Sequence, residues 1–246
     1  MQTEYHTWHS PSLGHGIELK VYGWHGKPML VFPSSKGRFY EYENFGMIEA
    51  CRPFIEAGKI KVVAVDGIDW QSWWNESAHP ADRARRHQDY DACIVREVAP
   101  FIDGHCHGRG FPLIATGCSF GAYHAANFYL RHPDLFDTAI CLSGIYSLAR
   151  FTNGYFDENF YFNDPTSYVP NLSDAWFFER YREGKIILCV GQGAWEAPCI
   201  EETRRFASIL AERGIPHWLD VWGYEAYHDW PWWQRQIAYF LGTLGL

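Results

Sequence analysis

The 246-residue sequence has no CxxC pair, and its cysteines, at 51, 93, 106, 118, 141, 189 and 199, are odd in number. Neither a thiol-redox motif nor a complete disulfide framework can be read from them. Several lie inside apolar runs such as TAICLSG and IILCV, the setting of reduced, buried thiols in a cytoplasmic protein. No apolar run approaches the roughly 18 residues of a membrane span, and the N-terminal MQTEYHTWHSPSLG lacks both the positive and the apolar part of a signal peptide. The expectation is a cytoplasmic chain that does not engage a membrane. Positive charge is also scarce, with 21 Lys and Arg against 29 Asp and Glu and a net charge of −8. The one dense basic stretch, Arg83-Ala84-Arg85-Arg86, is short and has acidic neighbours, so no nucleic-acid partner is expected. His105-Cys106-His107 resembles a metal motif only superficially, because adjacent ligands point apart and no second pair lies near in sequence; no metal is expected. Without a Ser/Gly linker, charge block or internal repeat, residues 1–246 read as a single domain.

Apolar and aromatic residues are abundant, at 47% and 18% of the chain, ample for a large core. Strand-length apolar runs recur at 17–23, 28–33, 60–65, 112–117, 138–144, 186–191 and 217–222. Helix-length segments separate most of them: 40–57, 80–102, 120–131, 201–212 and 231–241. Fully apolar strands alternating with helices indicate a mostly parallel central sheet covered by helices on both faces, an α/β three-layer sandwich. The first two runs, 17–23 and 28–33, are expected to form its antiparallel N-terminal edge. Residues 145–183 break the alternation. They hold Phe151, Tyr155, Phe156, Phe160, Tyr161, Phe162 and Tyr168 among Asn, Asp, Pro and Gly, as a lid-like insertion or pocket wall would.

The stretch ATGCSFGAY, residues 115–123, sets Ser119 between Gly117 and Gly121 at the junction of a strand and a helix. A GxSxG turn of this kind strains the serine backbone and has no room for side chains two residues to either side. In a parallel α/β sheet, ligands gather at the carboxyl ends of strands, where Ser119 falls. Cys118 belongs to the inward-facing position of the turn and reads as packing. A serine hydroxyl needs a base to take its proton. In the chain order of α/β-hydrolases the base follows the last strand, leaving His217 and His228. His217 begins the strand HWLDVW, whereas His228, in GYEAYHDWPWW, occupies the loop beyond it. The acid belongs after IILCVG, where Glu196 is the first carboxylate. Asp220 lies within a strand, and Asp229 is adjacent to His228, a poor geometry for bonding its ring. The oxyanion donors should be the backbone N–H of Phe120 and one from the loop SSKGRFYEYEN, supplied by Ser34, Ser35 or a close neighbour.

With these positions in place, the chain resembles the putative-esterase family of α/β-hydrolases, which includes esterase D, enterochelin and feruloyl esterases and the antigen 85 mycolyltransferases. The likeness is carried by VFPSSKGRFYEYEN, RHQDYDACIVREVAPFI, ATGCSFGAYHAANFYLRHPDLF, CLSG, GQGAWE and HDWPWWQRQI. It implies Ser119 as nucleophile, His228 as base and Glu196 as acid, with the Ser35 and Phe120 N–H groups in the oxyanion hole. Many members have Met in place of Phe120, a change that keeps the N–H and alters the pocket. The expected activity is a serine esterase that forms an acyl-enzyme on a small-molecule ester and needs no cofactor. An acyltransferase using the same acyl-enzyme, or a non-catalytic binding protein on the same fold, would carry the same motifs. Trp70 and Trp73, in the loop after the strand 60–65, are candidate walls of the substrate pocket. So many aromatics also favour an exposed apolar patch and self-association into a homo-oligomer.

Overall fold

The computed structural model describes all 246 residues. The chain opens with a hairpin of β1 (Thr3–Ser10) and β2 (His15–Tyr22), paired from Thr3↔Tyr22 to Ser10↔His15. After it come β3 (Lys27–Phe32), α1 (Glu41–Asn44), α2 (Met47–Glu56) and β4 (Ile60–Val65). The helix α3 (Pro80–Cys93) runs through a π turn, Ile94–Val98, into α4 (Ala99–His105). Then follow β5 (Leu113–Cys118), α5 (Phe120–Arg131) and β6 (Phe136–Leu142). Short helices α6 (Glu158–Tyr161) and α7 (Pro165–Tyr168) precede α8 (Ala175–Glu183). The chain closes with β7 (Lys185–Val190), α9 (Ala197–Glu212), β8 (Trp218–Val221) and α10 (Trp230–Thr243).

The eight strands form one sheet in the order β1-β2-β4-β3-β5-β6-β7-β8, parallel from β4 to β8 and antiparallel at β1/β2 and β2/β4. The antiparallel edge therefore exists, but it is not the pair expected. Residues 17–23 belong to β2, which pairs with β1 and β4, while β3 lies deeper in the sheet between β4 and β5. Burial explains the order. β4 is buried along its whole length and suits the interior, whereas β2 keeps partly exposed positions fit for the flank. The chain moves from β2 to β3 through Gly26, at φ 110°, so close to the next turn that a Cβ there would lie 2.3 Å from the Lys59 carbonyl carbon. β1 was not anticipated because TEYHTWHS alternates polar and aromatic residues with no aliphatic run.

Both faces of the sheet are covered. Leu30, Phe32, Val63, Val65 and Ala115 face a core completed by Tyr90, Ile94 and Val98 of the α3–π segment, Ala122 and Phe128 of α5, and Phe206 and Leu210 of α9. Met29, Val31, Val62, Ala64 and Ile114 face the opposite core, built with Met47, Ile48, Cys51 and Ile55 of α2 and Trp233, Ile237 and Phe240 of α10. The two-residue strand period delivers consecutive side chains to opposite cores, each large one contributing about 1.5–3 kcal/mol. A third, smaller cluster joins Leu148, Phe151 and Phe160 of the 145–183 segment to Trp73, Ala84, Phe120 and Tyr123. The helix expected over 40–57 is broken into α1 and α2 at Gly46, φ 74°.

Candidate active site

Ser119 occupies the turn from β5 to α5 with φ 55° and ψ −118°, a conformation L residues avoid. The turn is held by the Ser119 N–H, which donates to Leu142 O at 2.8 Å. Its glycines are steric necessities: a Cβ on Gly117 would lie 2.4 Å from the Gly121 carbonyl carbon, and one on Gly121 would lie 2.5 Å from Phe32 O. Cys118 is buried, and burial pushes its thiol well above the usual range, as expected of a packing residue.

His228 and Glu196 reach Ser119 from the two neighbouring loops. His228 Nε2 is 3.1 Å from Ser119 Oγ, and His228 Nδ1 is 3.1 Å from Glu196 Oε2. The loops are zipped together by their backbones. Gly193 N–H donates to Ala226 O at 2.7 Å, His228 N–H to Ala194 O at 3.0 Å, and Gln192 N–H to Gly223 O at 3.2 Å. This approach explains the GQG sequence, since a Cβ at Gly191 would lie 2.1 Å from Ala226 O and one at Gly193 would lie 2.7 Å from it. Glu196, 1% exposed, is fixed through its other oxygen, which accepts from Ser143 Oγ at 2.6 Å and Gly191 N–H at 3.3 Å. Ser143 Oγ in turn accepts from Trp233 Nε1 at 3.0 Å, and the Trp233 ring meets the His228 ring edge-on at 4.9 Å. Neither Ser143 nor Trp233 stands out in the sequence, where the strand-end LSG and the Trp-rich turn after His228 are the only signals of them.

The rival residues are engaged elsewhere. Asp220 accepts from Trp222 Nε1 at 3.2 Å, Asp229 caps α10 by accepting from Trp230 N–H at 2.7 Å, and His217 Nδ1 lies 2.9 Å from Ile215 O. In the loop after β3, Ser34 N–H donates to Glu41 Oε2 at 2.7 Å, Lys36 N–H to Asp69 Oδ2 at 3.1 Å, and Gly37 N–H to Ser34 O at 2.9 Å. The Ser35 N–H, between them, has no acceptor within the protein, as is also true of the Arg38 and Tyr40 N–H groups further along the loop. The Phe120 N–H, at the first position of α5, likewise has no carbonyl of its own helix to bond.

A buried polar layer underlies this loop. Asp69 and His124, each 2% exposed, are 2.9 Å apart. Asp69 also holds the Lys36 N–H, and Lys36 adopts a left-handed φ of 61°. His87 stacks on His124 at 5.3 Å, and burial, reinforced by His124 and Arg131, pushes its ring well below the usual imidazole range.

Of the two tryptophans expected to wall a pocket, Trp73 does not. It is fully buried, near His87 and Phe160 in the third cluster, because the 145–183 segment covers it. Trp70 is 55% exposed. Trp74, their neighbour, packs edge-on against Phe120 at 6.0 Å and Phe151 at 5.1 Å, beside the serine turn. Two groups have metal-ligand geometry. Glu4, His6 and His105 converge because β1 brings Glu4 and His6 to a histidine distant in sequence, but Lys61 Nζ lies 3.1 Å from His105 Nδ1 and the trio bonds internally. The other is Glu196, Cys199 and His228, where an ion would displace the Glu196–His228 bond.

The sheet order, the strained serine turn and the loops above it define an α/β-hydrolase. The Esterase family model, described as "Putative esterase", matches residues 34–244. The chain therefore belongs to that family and is a carboxylic-ester hydrolase. It shares its fold with a ferulic acid esterase (TM-score 0.76, 15% identity, covering 98% of this chain and 96% of that one). An S-formylglutathione hydrolase from Agrobacterium tumefaciens is similar too (TM-score 0.76, 15% identity, 98% and 93% covered), as is MPT51 (FbpC1) of Mycobacterium tuberculosis (TM-score 0.73, 17% identity, 99% and 97% covered). No curated protein matches the sequence.

Proposed function

We propose that this protein hydrolyses a small-molecule carboxylic ester with Ser119 as nucleophile, His228 as base and Glu196 as the acid that orients it. The carrying observation is the unbroken line from Ser119 Oγ to His228 Nε2 and from His228 Nδ1 to Glu196 Oε2, with 3.1 Å at each step. In the acting tautomer His228 Nδ1–H donates to Glu196, which leaves Nε2 free to take the Ser119 proton as Oγ attacks the acyl carbon. The developing oxyanion is received by the N–H groups of Ser35 and Phe120. The imidazolium then protonates the leaving alkoxide, and a water deprotonated by the same His228 releases the acid and restores Ser119. The serine strain supports the reading, since a φ of 55° at a non-glycine residue is kept where the surrounding structure over-determines it. Structural relatives named as a ferulic acid esterase and an S-formylglutathione hydrolase are consistent with ester or thioester chemistry at this position.

A fluorophosphonate probe tests the assignment, being a reagent for activated serines. A single adduct on Ser119 is expected in the folded protein, absent in Ser119→Ala, and the same variant should hydrolyse no 4-nitrophenyl butyrate. Undiminished hydrolysis by Ser119→Ala would refute the proposal.

A further inference from the structure

Beside the serine turn, two cations meet on one indole: Lys36 Nζ lies 5.1 Å from the Trp74 ring centre and the Arg150 guanidinium 5.7 Å from it, with Arg150 also 5.0 Å from the Phe151 ring. Three contacts tie them to the site. Lys36 follows Ser35 directly in the loop after β3. Trp74 packs on Phe120. Phe151, the ring under Arg150, packs edge-on against Phe120 at 5.3 Å.

The pair is set apart by its place: two cations from distant segments share one indole beside the serine turn, and neither is held by a carboxylate. The chain carries a net charge of −8, and some of its cations sit on carboxylates, as Arg38 does on Glu18 and Asp66, Arg131 on Asp91 and Lys27 on Asp137. Neither Lys36 nor Arg150 takes part in any ion pair of the molecule. Two acids against the same segments are bonded elsewhere. Asp69 accepts the Lys36 N–H and lies against His124, while Glu202 accepts the N–H groups of Tyr146 and Ser147. The left-handed backbone at Lys36, pinned by Asp69, fixes where its side chain departs. An acidic protein repels anions in general, so an uncompensated positive focus at the mouth of its active site is a selective attraction.

We infer that the substrate is an ester that also bears an anionic group, a carboxylate being the simplest, and that Lys36 and Arg150 with Trp74 form the subsite that receives it. The inference rests on the esterase reading above. It adds specificity only: the anion contributes attraction and orientation before Ser119 attacks, and takes part in no bond made or broken.

Methanol release from monomethyl esters of the C4–C8 straight-chain dicarboxylic acids, compared with their dimethyl counterparts, varies one charge at a constant scissile bond. At some chain length the monoester is expected to show a kcat/KM about tenfold above the diester, because two partly screened pairs act together, and added salt should shrink the ratio. In Lys36→Met/Arg150→Met the ratio should collapse toward one, with Arg38→Met, on an already paired cation, as the control that keeps it. Turnover with no monoester preference at any length, or a preference that survives the double variant, overturns the inference and leaves the esterase reading standing. Absence of both ester turnover and a Ser119 adduct would instead overturn the reading beneath it.

Discussion

Glu196 divides its work between two oxygens: Oε2 faces His228 Nδ1, and Oε1 accepts from Ser143 and the Gly191 N–H. Glu196→Gln keeps the shape but presents an amide to the ring, so kcat should fall by about 10³–10⁴ with little change in KM. Asp220→Asn, on a side chain engaged with Trp222, should stay within a few-fold of wild type; the opposite ranking in steady-state kinetics would reassign the acid. Ser143→Ala removes the hydroxyl that joins Glu196 to Trp233. It leaves the buried Trp233 N–H without an acceptor, so the folded state should lose about 1–3 kcal/mol in urea denaturation. A drop in kcat smaller than that of Glu196→Gln should accompany it. The sequence marks Ser119, His228 and Glu196 as candidates through type, spacing and order, because each belongs to a motif. Ser143 and Asp69 could not be read, since a serine at a strand end and an aspartate in a loop gain their partners only by folding. Trp73 and Trp74 are indistinguishable as letters; burial of the first and the cations around the second separate them.

The elements position the site through close approaches of backbone. The loop after β7 and the loop after β8 carry Glu196 and His228, the proposed acid and base, and their mutual hydrogen bonds require that Gly193 have no side chain. Gly193→Ala should push them apart, lowering kcat while fluorophosphonate labelling of Ser119 slows in proportion. Gly121→Ala aims a methyl at Phe32 O and Pro33 O, 2.5 and 2.7 Å from it. Because those carbonyls begin the loop bearing Ser35, both melting temperature and kcat should drop. Helices α5 and α10 were legible almost residue by residue, bounded by the serine turn and by the Asp-Trp-Pro cap. The break at Gly46 and the whole of β1 were not. A left-handed glycine inside a helical pattern gives no periodic signal, and a strand that alternates aromatic with polar residues at an edge carries no aliphatic run.

Across the molecule, the buried layer under the loop after β3 is expected to couple stability to pH. His87 is buried, with a pKa well below the ordinary imidazole value. Below about pH 6.5 the unfolded chain binds a proton at this residue that the folded chain resists. Its stabilising contribution is therefore complete above that pH and is lost as pH falls toward the depressed folded value. Urea midpoints measured from pH 7.5 to 5 should decline for the wild type and decline less for His87→Phe; equal slopes would show that His87 is not the titrating group.

Alternation of buried strands with helices, the glycine-flanked serine and the order of the loops bearing Glu196 and His228 were determined by the sequence alone, because strand period, turn sterics and chain order are local or linear properties. Which strand lies at the edge, that the Ser35 N–H is left without an acceptor and which tryptophan faces the two cations were decided only by the tertiary structure. Each depends on what segments far apart in the chain bring to the same place: the Lys59–Ile60 turn against Gly26, Glu41 and Asp69 against the oxyanion loop, and residues 145–183 against Trp73.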